Sequence, residues 1–86
     1  MKTDFNPVYP IYYEIFADEQ EKAFSKVFYF RNGTEIEEAK GKITELVTKE
    51  NKEEYLVFSS GEEVRIDHII SINGIPGPAY DEYDAF

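Results

Sequence analysis

The chain has 86 residues, enough for one small domain, with 18 acidic residues against 9 basic ones and a formal charge of −9. That balance opposes direct binding to a phosphate backbone, whose affinity comes from cations displacing condensed counterions, and favours a basic partner surface instead. The lack of cysteine excludes disulfides, zinc–cysteine sites and thiol chemistry, and residues 1–4 lead into no long apolar run, so neither a signal peptide nor a transmembrane helix is expected and the cytoplasm is the default compartment.

Residues 1–11 contain Asn6-Pro7 and Tyr9-Pro10. A residue before proline is pushed out of the α region, which predicts an extended N-terminal arm that either crosses the domain or stands free of it. Residues 12–25 are the helix candidate. Tyr13, Phe16, Ala17, Gln20, Ala23 and Phe24 recur at spacings of three and four and form a mostly apolar stripe. Glu14, Asp18, Glu19, Glu21 and Lys22 fall largely off that stripe, and early acids suit the positive end of a helix dipole.

Val27, Phe28, Tyr29 and Phe30 in a row predict a strand covered on both faces. Asn32-Gly33 is a strong hairpin signal, since both residue types tolerate positive φ. Residues 34–40 then form the return strand, with Ile36 directed inward, and Gly41 marks a bulge or a sharp bend. Ile43, Leu46 and Val47 carry on the apolar pattern, residues 49–52 make a polar turn, and residues 53–58 form a strand. Residues 63–66 and 69–72 flank a break at Asp67-His68. Asn73-Gly74 and Pro76-Gly77-Pro78 are expected to end regular structure.

The expected fold class is mainly β with one N-terminal helix: a small five-stranded SH3/Sm-like barrel in residues 12–75, between the arm (1–11) and an acidic, aromatic C-terminal tail (76–86). No period gathers the apolar residues of 79–86 on one face. That segment reads as a mobile tail, or else as a docking peptide whose aromatics anchor in a partner's pocket.

The sequence predicts no catalytic residue, cofactor or metal. His68 is the sole histidine and sits in a short connection, where a structural role is expected. The pairs Glu37-Glu38, Glu53-Glu54 and Glu62-Glu63 are adjacent, so on a strand their members point to opposite faces and form no acid/base couple. No calcium-loop pattern and no phosphate-cradling glycine loop occurs. The basic residues are scattered and form no stripe for nucleic acid. Arg65 and Asp67, two apart, read as a structural ion pair that pins the final strand.

Several of these segments, in this order, resemble the Rho-binding antiterminator (Rof) family. That family opens with a short acidic helix carrying a Tyr-acid-x-apolar pattern, here Tyr13-Glu14-Ile15-Phe16. An apolar strand follows and ends at a turn, here Arg31-Asn32-Gly33. A strand pair ending in Glu-Tyr-Leu-Val matches Glu54-Tyr55-Leu56-Val57, and the closing Arg-apolar-Asp-x-Ile matches Arg65-Ile66-Asp67-His68-Ile69, with Ser71 one residue farther along than in the family. The family often carries cysteines near the first helix, and this chain has none. The resemblance implies an Sm-like barrel that binds the hexameric transcription terminator Rho, covers its RNA-binding surface and performs no chemistry. It places Glu14 at the partner surface, and helix geometry extends that assignment to Asp18, Glu19 and Glu21. Two other readings stand beside it: a small-barrel interaction module with a different protein partner, and an Sm-like domain that binds RNA despite its charge.

Overall fold

The computed structural model describes residues 5, 7–31 and 35–81. Helix α1 (Pro10–Gln20) opens with proline in its first turn, where the missing N–H has no intrahelical partner to lose. The helix starts earlier and stops sooner than its apolar spacing predicts. Glu21 caps it, and residues 21–24 turn the chain into strand β1 (Ser25–Arg31). Phe24, expected on the helical stripe, is therefore out in the connection and 58% exposed. Pairing of β1 outweighs helix propensity here, because Ser25 and Val27 are completely buried only as strand residues.

Strand β2 (Glu35–Gly41) returns antiparallel to β1, followed by β3 (Ile43–Thr48), β4 (Glu54–Phe58) and β5 (Glu63–Arg65). A 3-10 turn (Ile66–His68) leads into β6 (Ile69–Ile72) and the two-residue β7 (Ile75–Pro76). The strands form two antiparallel sheets, ordered β2-β1-β6-β7 and β3-β4-β5, which do not close into a single five-stranded barrel. Gly41 passes the chain from the first sheet to the second at φ +137°, a conformation L side chains rarely adopt. The 3-10 turn carries it back.

The main core lies between the sheets and under α1. Phe16, Val27, Ile43, Leu56, Phe58, Val64, Ile66, Ile69 and Ile72 are all buried there. Burying one such side chain contributes about 1.5–3 kcal/mol. Phe5 and Val8 pack against this core, so the described part of the N-terminal arm lies across the domain rather than standing free.

A second, smaller cluster sits on the outer face of the first sheet: Phe30, Ile70 and Ala79. It exists because the β1–β6 register shifts between Phe28 and Tyr29. Phe28 opposes Ser71 and Tyr29 opposes Ile69, which leaves Ile70 unpaired in the ladder and buried apart from its neighbour Ile69. Ile36 opposes Phe30 and is 50% exposed, contrary to the inward placement expected for it. Ala39 takes the inner position of β2, opposite Val27, and residues three apart on a strand point to opposite faces.

Regular structure also continues past Asn73-Gly74. These residues have φ +50° and +83° and form the tight turn of a hairpin that pairs β7 with β6. Gly77 then passes so close to β6 that a Cβ there would sit 2.6 Å from the Ile69 carbonyl oxygen. Ala79 is 2% exposed, so the segment read as a tail is anchored at its start. The hairpin residues Asn32-Gly33 and residues 82–86 lie outside the described residues.

Candidate functional site

The helix divides its acids into two sets. Glu14, Asp18 and Glu21 are exposed and spaced four and three apart, so they share one face of α1 and its C-cap. Among the described residues none of the three forms an ion pair. Glu19 falls on another face and is 3% exposed, which removes it from the exposed acidic surface predicted for all four. Lys22 Nζ lies 2.8 Å from Glu19 Oε2, and Asn73 donates to Glu19 Oε1 at 3.0 Å. Burial alone would raise the Glu19 carboxyl; the hydrogen bonds from Lys22 and Asn73 and the Lys22 charge outweigh it, and the pKa is lowered. Sequence reasoning missed this role because the partner Asn73 lies 54 positions away.

The acids of β2 contrast with the helical set. Arg31 pairs with Glu35 at 2.5 Å and Glu37 at 3.3 Å, while Lys26 and Lys40 reach Glu38 at 3.8 and 3.4 Å. Their charge is balanced locally, whereas the α1 stripe has no such ion pair among the described residues.

The motif residues meet each other in space. The Tyr13 hydroxyl donates to Glu54 Oε1, joining helix to β4, and this bond with burial pushes the phenol up to about 12. Arg65 grips Asp67 with two parallel bonds, Nε to Oδ1 at 2.6 Å and Nη2 to Oδ2 at 2.8 Å. Glu53 Oε2 stands 3.6 Å from Arg65 Nη1, and the Phe5 ring lies over the guanidinium at 5.7 Å. Asp67 holds the Arg65 guanidinium above its ordinary pKa, against the effect of burial. Arg65, Asp67 and Glu53 are all buried, so the ion pair expected at Arg65–Asp67 is a buried one with a second carboxylate attached. His68, in the same 3-10 turn, is half-buried.

Concavities accompany these features. An apolar groove of about 250 Å³ on the outer face of the first sheet is lined by Phe28, Ile36, Ile70, Ser71 and Tyr80. A more polar cleft lies where the N-terminal arm meets the C-terminal turn, between Tyr9 and Asp81. Among the described residues no three metal-ligating side chains group together, and no helix is long and apolar enough to cross a membrane. No family model, curated protein or solved structure matches this chain.

Proposed function

We propose that this protein is a non-enzymatic inhibitor of the transcription terminator Rho, acting in the bacterial cytoplasm by covering the basic RNA-binding surface of the Rho hexamer. The observation that carries this reading is the stripe of Glu14, Asp18 and Glu21, exposed on one helical face and, among the described residues, without an ion pair, in a chain with net charge −9. Such a face is drawn to a surface that binds phosphates and competes with RNA for it. The order of the Tyr13, Glu54 and Arg65-Asp67 segments supports the family resemblance. Their contacts are those of the scaffold, and in this reading the helical acids face the partner.

We further infer that the two sheets are halves of one Sm-like barrel. Read as one strand bent at Gly41, β2 and β3 give the continuous order β6-β1-β2/β3-β4-β5, which is five strands with the 3-10 turn joining its two ends, β5 and β6. The residues that follow Gly41 and Phe58, Lys42 and Ser59, support the bend, since Ser59 N–H donates to Lys42 O at 2.8 Å and extends the β3–β4 ladder toward β2.

The deciding experiment titrates Rho with this protein and follows release of a labelled single-stranded RNA. Release at micromolar protein or below supports the proposal. No binding and no release removes Rho as partner and moves the reading to its alternative, an interaction module for another protein. The apolar groove at Phe28, Ile36 and Tyr80 is the feature that favours that alternative. RNA binding by the chain itself is disfavoured by its charge, and affinity for RNA without Rho would revive it.

A further inference from the structure

The β6–β7 turn at Asn73-Gly74 carries a chemistry of its own. In an Asn-Gly pair the glycine backbone nitrogen can close on the side-chain carbonyl carbon of asparagine, because no glycine Cβ stands in the way. A new C–N bond completes a five-membered imide, and the side-chain nitrogen leaves as ammonia. Water then opens the ring at either carbonyl, giving Asp or, with the main chain routed through the β-carbon, isoAsp. Water is taken up and ammonia released, and no oxidant, reductant or enzyme is needed.

The surroundings leave this turn open to water. Gly74 is exposed, and among the described residues no atom beyond its chain neighbours comes within 4 Å of where a Cβ would stand. What restrains the reaction is the grip on the Asn73 amide. Its nitrogen donates to Glu19 Oε1 at 3.0 Å and to Ser25 Oγ at 3.2 Å, and its oxygen accepts from Lys26 N–H at 2.9 Å. Both amide hydrogens and the carbonyl are thereby engaged. Ring closure turns the side chain toward the Gly74 nitrogen, so the amide must first let go of α1 and β1.

The product does not fit the place that asparagine leaves. Asp tolerates the φ of +50° at this position as Asn does, so the backbone is not the obstacle. The new oxygen is, since it takes the place of a nitrogen 3.0 Å from the carboxylate of Glu19, a residue 3% exposed. A hydrogen bond becomes a contact of like charges. Lys22, 2.8 Å from Glu19 Oε2, is already paired with that acid. IsoAsp adds a main-chain atom to a two-residue turn whose register is set by the Ile72–Ile75 pair.

We propose that Asn73 is a deamidation site which the closed fold silences and an opened fold releases. The turn converts to Asp or isoAsp only when its clasp on α1 and β1 lets go, and the carboxylate then formed keeps the clasp from closing. A chain that has opened is thereby marked, independently of any partner.

The test incubates the full chain in mildly alkaline buffer and follows Asp and isoAsp at position 73 by chromatography and mass spectrometry of its peptides. A capped peptide of residues 71–76 in the same buffer gives the unrestrained rate. Asn73 of the folded chain should react about tenfold or more slower than the peptide. Glu19→Gln, which weakens one bond of the clasp, should speed the reaction about threefold or more while circular dichroism stays that of the folded protein. Asn73→Asp should lower the urea midpoint, and by less in the Glu19→Gln background, where residue 19 can donate to the new carboxylate. Equal rates in chain and peptide, or no response to Glu19→Gln, would overturn protection by the clasp. A wild-type midpoint for Asn73→Asp, or the same loss in both backgrounds, would overturn the block to closing. If Asn73→Asp does not fold by itself, recovery in the double variant supports the proposal and no recovery overturns it.

Discussion

Asn73 donates its side-chain amide to Glu19 Oε1 at 3.0 Å and accepts the Lys26 N–H on its Oδ1 at 2.9 Å, so one side chain fastens the end of α1 and the start of β1 to the β6–β7 turn. The backbone joins in, since Asn73 N–H donates to Lys26 O at 2.8 Å. Glu19 is therefore a structural acid. Glu19→Gln should cost about 1–3 kcal/mol of unfolding free energy in urea, the range for a weakened charge-assisted bond at a buried site. The sign with pH follows from the lowered pKa. A carboxyl depressed in the folded state stabilises above its unfolded value and loses that contribution as pH falls through the folded one. The difference between wild type and Glu19→Gln should thus narrow below the ordinary value of 4.5. A difference that stays constant down to strong acid would refute the pairing.

Arg65 faces two buried carboxylates, Asp67 and Glu53. Arg65→Leu takes the guanidinium away from both and should destabilise by about 3–5 kcal/mol. Arg65→Lys keeps the charge but loses the fork that meets Asp67 twice, and should fall between the two. Equal stability of the leucine and lysine variants would show that geometry at Asp67 contributes nothing.

Tyr13, Tyr29 and Tyr55 each donate to a glutamate, Glu54, Glu62 and Glu53 respectively. The bond to Glu54 dominates for Tyr13, and burial dominates for Tyr29 and Tyr55; all three phenols are pushed up to about 12. A phenol raised in the folded state contributes stability below its unfolded value of 10.0, and that contribution is lost as pH rises toward about 12. Tyrosinate absorbance of the folded protein should rise last for these three, with alkaline unfolding setting in over the same window. Ionisation of all seven tyrosines near pH 10 in protein that is still folded by circular dichroism would contradict this.

Gly77 is required by close approach. A Cβ at this position would lie 2.6 Å from the Ile69 carbonyl oxygen and 2.8 Å from Ile69 Cγ2. Gly77→Ala should cost about 1–3 kcal/mol in thermal or urea unfolding. Adding Ile69→Ala removes only the side-chain clash and should not restore stability, because the carbonyl remains.

The acidic stripe separates binding from folding. The triple variant Glu14→Gln, Asp18→Asn, Glu21→Gln removes exposed charges that form no ion pair among the described residues and should leave the urea midpoint nearly unchanged. At roughly 0.2–1 kcal/mol per exposed charge, it should raise the concentration needed to displace RNA from Rho about tenfold. An unchanged displacement curve in folded protein would remove the helix from the interface.

Much of the scaffold is legible in the sequence. The apolar runs of β1 and β4 and the break at Asp67-His68 between β5 and β6 stand where the β-rich stretches place them, and Gly41 bends the chain as its position predicts. The misses share one cause, which is distance along the chain. Glu19 reads as a solvated helix acid until Asn73 and Ser25 are brought beside it. Ala79 reads as tail until the register shift at Phe28 exposes Ile70 and Phe30 for it to cover. Asn73-Gly74 carries a local hairpin signal, but the apparent end of structure around Pro76 masks it, although proline is admissible in an edge strand. The arm-and-turn cleft could not be read at all, since Tyr9 and Asp81 meet only through the fold.

The placement of β6 beside β1 sets the timing of assembly during synthesis. Val27 opposes Ile72, so the earliest strand of the first sheet waits for the last full one. Until a ribosome has released that segment, β1 and β2 can form only a hairpin with Val27 uncovered on one side, and the apolar run from Val27 to Phe30 stays open to wrong partners. Closure by so distant a contact is entropically slow. A nascent copy of this chain is consequently most prone to aggregate while residues 69–76 are still inside the exit tunnel, and slowing elongation there would lengthen that exposure.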